Sequence, residues 1–168
     1  MLKPASLRAH LTAATPELAR DPDKLSLYIG NGRIVAAGTG SLSYEYQYTL
    51  HLTVLDYSSH PDAIFVPLLA WITRHQIDIL DNVERRENAL RFEAEYLNKH
   101  TVDLSIEINL TERVLVGRTS ADSAETTQRF DVTHAPEPDR PGPGDYAEIW
   151  ELYLAGELLA RWTQDPRP

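Results

Sequence analysis

The sequence predicts an α+β protein, with a mainly antiparallel β-sheet of long strands flanked by two or three helices. A C-terminal β-hairpin is expected to follow a proline-rich linker. Two long segments, 44–54 and 104–110, alternate apolar and polar residues with period two, as half-buried strands do. A helical apolar stripe lies between them at 64–79, and four prolines fall within 136–143, ahead of the last apolar segment.

The first third of the chain predicts helix and then strand. Residues 4–20 are expected to be helical, because Pro4 suits a first-turn position and Leu7 and Leu11 share a face. Thr15 is a candidate cap for a second short helix. Residues 25–29 resemble a strand, Gly30-Asn31-Gly32 a turn, and residues 33–37 a returning partner strand.

The middle of the chain carries the strongest periodicity. We expect one covered face on each long strand and a third alternating segment at 90–96. We expect the helix to start near Val66, because proline is tolerated only in a first helical turn. Residues 81–89 are interpreted as a charged loop and residues 119–131 as a polar excursion or a short strand. The apolar faces contain Tyr44, Tyr46, Tyr48, Leu50, Leu52 and Val54; Leu104, Ile106, Ile108 and Leu110; and Leu90, Phe92, Ala94 and Tyr96.

We divide the chain into an α+β core (1–134), a proline-rich linker (135–145) and a C-terminal hairpin extension (146–168). With Ala155-Gly156 as the turn, both hairpin faces are apolar, so the hairpin needs cover. Either it folds back onto its own sheet, or it clamps a neighbouring subunit or another protein, and we favour the clamp. On that hypothesis the chain without residues 135–168 still folds. One face carries Trp150, Leu152, Leu154 and Leu159, and the other carries Ile149, Tyr153, Leu158, Ala160 and Trp162. The predicted partner interface consists of Trp150, Leu152, Tyr153, Leu154, Leu158 and Trp162.

Composition narrows the function. The chain has 168 residues, about one domain. It has no cysteine, which removes disulfides, thiolate metal sites and a cysteine nucleophile. The net charge is −9 and the basic residues are scattered, which disfavours tight nucleic-acid binding. No apolar stretch is long enough to cross a bilayer and no signal sequence is visible, so we expect synthesis in cytoplasm and no membrane partner.

No motif predicts catalysis, and we predict no catalytic, metal-binding or cofactor-binding residue. The histidines lack metal-site spacing, although His60 with Asp62 and Asp56 is one possible ion site; Asp62 as a cap is favoured. Glu93 and Glu95 beside Arg91 are interpreted as a solvated sheet surface. Tyrosines 44, 46 and 48 could stack nucleobases, but a core or interface ladder is favoured. No Gly-x-Ser-x-Gly motif is present, so we expect a protein that is not an enzyme.

Five segments occur in a familiar order: MLKPASLR, SLSYEYQYTLHLTVLDY, VPLLAWI, LSIEINLTERVLV and ELYLAGELLARW. Through them the chain resembles the tail completion protein R family of peduovirus-like contractile-tailed bacteriophages. The family's hairpin turn is expected to be Asn-Gly, whereas this chain has Ala155-Gly156.

The resemblance implies a structural protein of the virion. It implies a homo-oligomeric, hexameric ring that terminates the tail tube and sheath at the head-proximal end and allows head–tail joining. The implied partners are the tube and sheath proteins and a neck or head-completion protein. From the acidic charge we expect DNA to pass through the lumen of such a ring without specific binding. Two alternatives stay open: a transient tail assembly chaperone that leaves the particle, and a small hydrolase with an unrecognised site.

Overall fold

The computed structural model describes residues 1–98, 100–119, 128–137 and 149–163. Helices lie both before the first strand and between the strands, and the hairpin comes last. The elements are α1 (Lys3–Ala14), α2 (Pro16–Arg20), a short 3-10 helix (Pro22–Lys24), β1 (Leu25–Ala36), β2 (Tyr44–Tyr57), α3 (Asp62–His75), α4 (Asp78–Asp81), α5 (Val83–Ala89), β3 (Leu90–Tyr96), β4 (Val102–Thr119), β5 (Arg129–His134), β6 (Ile149–Leu154) and β7 (Glu157–Thr163).

The main sheet is antiparallel, with strand order β1-β2-β4-β3, and β5 pairs with the second half of β4. The predicted α+β class and the two long strands are confirmed. The apolar faces of β2 and β4 lie side by side, for example Leu50 opposite Ile108 and Leu52 opposite Ile106, and all four side chains are buried. The helices α1 and α3 cover this face, with Leu7, Leu11, Ile64 and Leu68 in the same core.

Strands β1 and β2 each contain a β-bulge that the sequence analysis did not predict. Gly30-Asn31-Gly32 is not a turn between two strands, because β1 continues through it beside β2 with a shift of register between Gly30 and Arg33. Asn31 adopts a φ of 50°, a conformation that asparagine tolerates better than most residues. A second bulge, at Asp56 with φ 50°, shifts β2 by one residue so that Tyr57 continues the buried face.

Helix α3 begins at Asp62, not near Val66, and Pro67 lies inside it. A proline there removes the N–H that residue 67 would donate to the carbonyl of residue 63. The Thr15 hydroxyl donates to the Ala63 carbonyl oxygen at 3.1 Å instead. Thr15 precedes α2 as its N-cap residue but makes no side-chain cap bond, so its hydroxyl serves α3 rather than its own helix.

Two predicted irregular segments contain regular structure. Within 81–89, residues from Val83 form α5, and Asn82 caps it by accepting the N–H groups of Glu84 and Arg85. Hydrophobic periodicity missed it, because the segment has no apolar stripe. Residues from Arg129 form β5, while 120–127 of the predicted excursion lie outside the described residues. The third alternating segment is confirmed as β3, but Phe92 and Tyr96 on its apolar face remain exposed.

The C-terminal hairpin packs on α1 and α3 of its own chain, so these helices lie between the main sheet and the hairpin. The face assignment predicted from the sequence is right for β6 and for Leu158 but wrong for Ala160 and Trp162. A bulge makes Leu159 an extra residue, because Leu152 pairs with Ala160 while Tyr153 pairs with Leu158. The extra residue exchanges the faces of β7 beyond it, so Trp162 shares a face with Trp150, whereas Leu158 shares a face with Tyr153. Residues 138–148 of the linker and hairpin start and residues 164–168 lie outside the described residues.

Candidate functional site: apolar surfaces of the hairpin and the sheet end

The hairpin turn is Ala155-Gly156, as the sequence predicts. Both residues have positive φ, 50° for Ala155 and 88° for Gly156, which is the type I′ pattern that matches the twist of the flanking strands. Glycine adopts it freely, whereas alanine is strained there. The departure from Asn-Gly therefore leaves the turn type unchanged and costs stability at one residue.

The hairpin's inner face is docked on its own subunit. Leu159, Ala160 and Trp162 are buried in the core. The Trp162 ring meets His10 of α1 edge-on at a centroid distance of 6.2 Å and lies 6.0 Å from the Trp150 ring. Burial lowers the pKa of His10, opposed by its hydrogen bond to the Pro67 carbonyl, so this contact is made by a neutral imidazole near neutral pH.

The six predicted interface residues divide into two groups. Trp162 is buried, and Trp150 and Leu152 are half-buried against the same core. The other three are exposed, as is Ile149. We call Ile149, Tyr153 and Leu158, which share one face, the hairpin outer surface; Leu154 is in phase with Trp150 and Leu152 and lies next to the turn. The exposed fractions are 51% for Ile149, 55% for Tyr153, 43% for Leu154 and 43% for Leu158. Three interface candidates are therefore still available to a partner in this arrangement.

A second exposed apolar surface was not predicted. Beyond Glu112 the strand β4 runs on for seven residues, to Thr119, and pairs with β5. Its register places Val116 beside Val132 on the face that the helices cover elsewhere in the sheet. At this end of the sheet the face is open to solvent. We call it the arm face; its residues are Ile34 (64% exposed), Phe130 (42%), Val132 (62%) and the half-buried Val116.

A buried polar network explains where the helix cover stops. Glu112 is buried, and its carboxylate accepts the Leu2 N–H at 2.6 Å and the Tyr48 hydroxyl at 2.6 Å. The Leu2 and Lys3 N–H groups are at the start of α1, where backbone donors and the helix dipole favour a negative charge. His134 Nδ1 lies 3.3 Å from the same carboxylate. Burial, and then the bond to Glu112, raise the pKa of Tyr48 far above its usual range.

Lys3 and Gln76 extend this network to the segment after β5. The ammonium group of Lys3 donates to Gln76 Oε1 at 2.7 Å and to Glu137 Oε1 at 2.7 Å. Gln76 Oε1 also accepts the Thr111 N–H at 3.0 Å, at a stretch of β4 between its pairing with β3 and with β5. A sequence signal existed for Glu112, since it occupies an apolar phase of the alternation after Leu110.

The candidate ion site is not assembled. His60 Nδ1 lies 3.2 Å from Asp62 Oδ2 and accepts the Asp62 N–H, while the Asp56 N–H donates to Asp103 in the bulge. Within the described ranges no three His, Asp or Glu side chains form a metal-binding group. Among those same residues, no helix is long and apolar enough to cross a membrane.

The remaining polar candidates lie on the open face of the sheet. The His51 ring stacks on Tyr28 at a centroid distance of 4.4 Å, over Gly30, and its Nδ1 is 3.4 Å from Glu107. Glu93 and Glu95 are exposed on β3. A cavity of about 510 Å³ between strands β1, β2 and β4 and helices α4 and α5 contains the Arg85–Asp78 ion pair at 2.9 Å. The described residues that line it include no serine or histidine, so this cavity lacks the components of a serine–histidine nucleophile.

These features define an α+β protein whose prominent exposed surfaces are apolar strands, the kind of surface that marks protein–protein contact. The chain belongs to the P2 phage tail completion protein R (GpR) family, whose model matches residues 1–138. It is 37% identical over 164 residues to Tail completion protein R of Escherichia phage P2, a match that covers 98% of this chain and 100% of the relative. No solved structure matches the chain.

Proposed function

We propose that this chain is a structural phage protein that completes the contractile tail. The observation that carries the proposal is the 37% identity to Tail completion protein R of phage P2 across 98% of this chain. That match includes the whole relative, so it extends past residue 138, where the family model ends. In this role the protein acts by binding other structural proteins and requires no chemistry at an active site.

The finer proposal is a homo-oligomeric, hexameric ring at the head-proximal end of the tail tube and sheath, where a neck or head-completion protein joins. The hairpin outer surface supports it. Tyr153 and Leu158 stay exposed although the inner face of the same hairpin is already docked on α1 and α3. An apolar strand surface left open after the subunit core is complete is suited to a neighbouring protein.

The charge of the chain fits a ring around DNA. A net charge of −9 with scattered basic residues repels phosphate at short range, so duplex DNA can pass through a lumen without being retained. Replacing acidic side chains of the lumen by lysine is expected to slow DNA ejection. Unchanged ejection in particles that contain the lysine variant counts against this part of the proposal.

The test is a cryo-EM map of the tail neck together with mass spectrometry of purified particles. We expect the chain to be present in finished particles as a ring at the head-proximal tail end. Presence during assembly but absence from particles supports a transient chaperone instead. Finding single copies of the chain in the finished particle contradicts the ring.

One substitution distinguishes an effect on the proposed interface from an effect on folding. Leu158→Asp changes an exposed residue of the hairpin outer surface and is expected to leave the free chain folded while reducing tail completion. Val83→Asp is the matched control, because Val83 is also an exposed apolar residue but lies on α5. Equal completion by both variants means that Leu158 is not at an interface.

A further inference from the structure

The bulge of β1 consists of the dipeptide Asn31-Gly32, and both residues are exposed. The pairing with β2 stops at Gly30 and resumes at Arg33, so both bulge residues lie opposite the single residue Tyr48. Within the described part of the chain, β1 pairs with β2 alone and forms an edge of the sheet. The regular ladder that fixes a strand is therefore interrupted at this dipeptide, on a side of the sheet that is open to water.

The Asn31 side chain differs from the other asparagine side chains, because no hydrogen bond holds it. Asn82, Asn88 and Asn98 each accept a hydrogen bond at Oδ1. Asn109 donates one from Nδ2 to a backbone carbonyl oxygen. Asn31 makes no such bond to any described residue. Its amide group is therefore the one that can turn towards its own backbone without first breaking a hydrogen bond to the rest of the fold.

An asparagine amide is chemically labile, and a following glycine gives it a reaction path. The Gly32 nitrogen, after losing its proton, attacks Asn31 Cγ; a N–Cγ bond forms, the Cγ–Nδ2 bond breaks, and Nδ2 leaves as ammonia with a proton from water. Water then opens the resulting succinimide at either carbonyl, which gives aspartate or isoaspartate. In sum an amide and a water become a carboxylate and an ammonium ion, with no oxidation or reduction. Glycine has no Cβ to hinder the attack and has the freest backbone.

We propose that Asn31 is a spontaneous modification site, at which the folded chain converts this asparagine to aspartate and isoaspartate through the nitrogen of Gly32. No other asparagine of the chain is followed by glycine. The product adds a negative charge, and isoaspartate also adds a backbone methylene to a strand that already contains a bulge. Asn31 and Arg33 line the cavity of about 510 Å³, so the new carboxylate arises on the wall of that cavity. This modification does not depend on the proposed tail function.

Incubation of the purified, folded, full-length chain at mildly alkaline pH tests the proposal. Peptide mapping by mass spectrometry measures conversion at each asparagine, and anion-exchange chromatography measures the added charge, with Asn31→Asp as the marker for the acidic product. Because glycine leaves the attacking nitrogen unhindered, we expect residue 31 to convert roughly tenfold faster than any other asparagine. The rate is expected to rise with pH, since the Gly32 nitrogen must lose its proton. Methylation by an isoaspartyl methyltransferase identifies the isoaspartate product.

The matched control is Gly32→Ala, which keeps Asn31. Gly32 does not have a positive φ, and the new Cβ would lie 3.7 Å from Ile29 Cγ2 and 3.8 Å from Tyr48 Cβ, which are ordinary van der Waals distances. We expect this variant to fold and to convert roughly tenfold more slowly.

The same incubation in denaturant measures the reactivity of the unfolded chain. If residue 31 converts in denaturant but not in the folded chain, the bulge protects Asn31 and the proposal is wrong. Equal rates for the unsubstituted and Gly32→Ala chains would also contradict it, as would equal rates for Asn31 and the hydrogen-bonded asparagines in the folded chain.

Discussion

Substitution of Trp162 tests whether the hairpin packs on its own subunit in solution. Its side chain is 5% exposed and packs against His10 and Trp150. Replacing a buried tryptophan by alanine costs about 3–5 kcal/mol, through lost burial and the cavity that remains. In a chain of this size each kcal/mol lowers the Tm by about 2–4 °C, so Trp162→Ala is expected to lower the Tm by roughly 6–20 °C.

The control is Tyr153→Ala on the other face of the same hairpin. Tyr153 is 55% exposed, and its hydroxyl bond to Glu151 is also exposed, so we expect a loss of about 0.5 kcal/mol. Thermal unfolding followed by circular dichroism at two protein concentrations measures both variants. Docking within one chain gives a Tm that does not depend on concentration, whereas a hairpin exchanged between subunits gives one that does.

Equal Tm values for the two variants would refute docking on the chain's own helices. The result also bears on removal of residues 135–168, which the clamp hypothesis expects to leave a stable core. In the structure the removed segment contributes Leu159, Ala160 and Trp162 to the core. We therefore expect the shortened chain to be destabilised, and point substitutions on the outer surface are the better test of a clamp.

Three further predictions concern the turn, a close contact and pH. Ala155→Asn is expected to raise the Tm by about 1–4 °C, because asparagine tolerates the φ of 50° better than alanine. Gly30→Ala is expected to cost about 1 kcal/mol, because the new Cβ would lie 2.6 Å from His51 Nε2. Burial, and then the nearby charges of Lys3, His10 and Arg74, lower the pKa of His75 from 6.5 to about 4. Between these pH values the unfolded state binds more protons, so stability falls as pH falls from 6.5 towards 4, and His75→Gln is expected to reduce that fall.

Each of these three predictions has a control variant or a result that would contradict it. Ala155→Val should lower the Tm, since a β-branched residue is worse at positive φ, and a higher Tm for it would contradict the strain argument. Gly117→Ala is the control for Gly30, because no atom lies within 4 Å of its new Cβ; equal losses would show that His51 is not displaced. For His75, an unchanged dependence of Tm on pH in the glutamine variant would contradict the assigned cause.

Alternation allowed the fold class and the central strands to be predicted. The residues Leu50, Leu52, Ile106 and Ile108 are apolar at every second position, and a strand has only two faces, so their common burial follows from the pattern. The family relationship was also visible, because the order of five segments along the chain needs no coordinates. The turn at Ala155-Gly156 was also placed correctly, because a two-residue turn depends only on residues that are adjacent in the chain.

Single residues that shift register could not be predicted. The bulges at Asn31, Asp56 and Leu159 each add one residue to one strand, and one residue is enough to exchange the two faces. Nothing local in the sequence shows which strand will lie opposite, and the bulge exists only relative to that partner. For this reason Ala160 and Trp162 were assigned to the wrong face of the hairpin although its turn was right.

The sequence by itself determined the α+β class, the long antiparallel strands, the last hairpin and the family, because these depend on local periodicity and on segment order. Only the tertiary structure decided which apolar surfaces are covered. Thr15 replaces the missing donor of Pro67 from another helix, and Glu112 holds the start of α1 across 110 positions of sequence. Such contacts join residues that are far apart in the chain, and their positions set where the helix layer ends and where the arm face remains open.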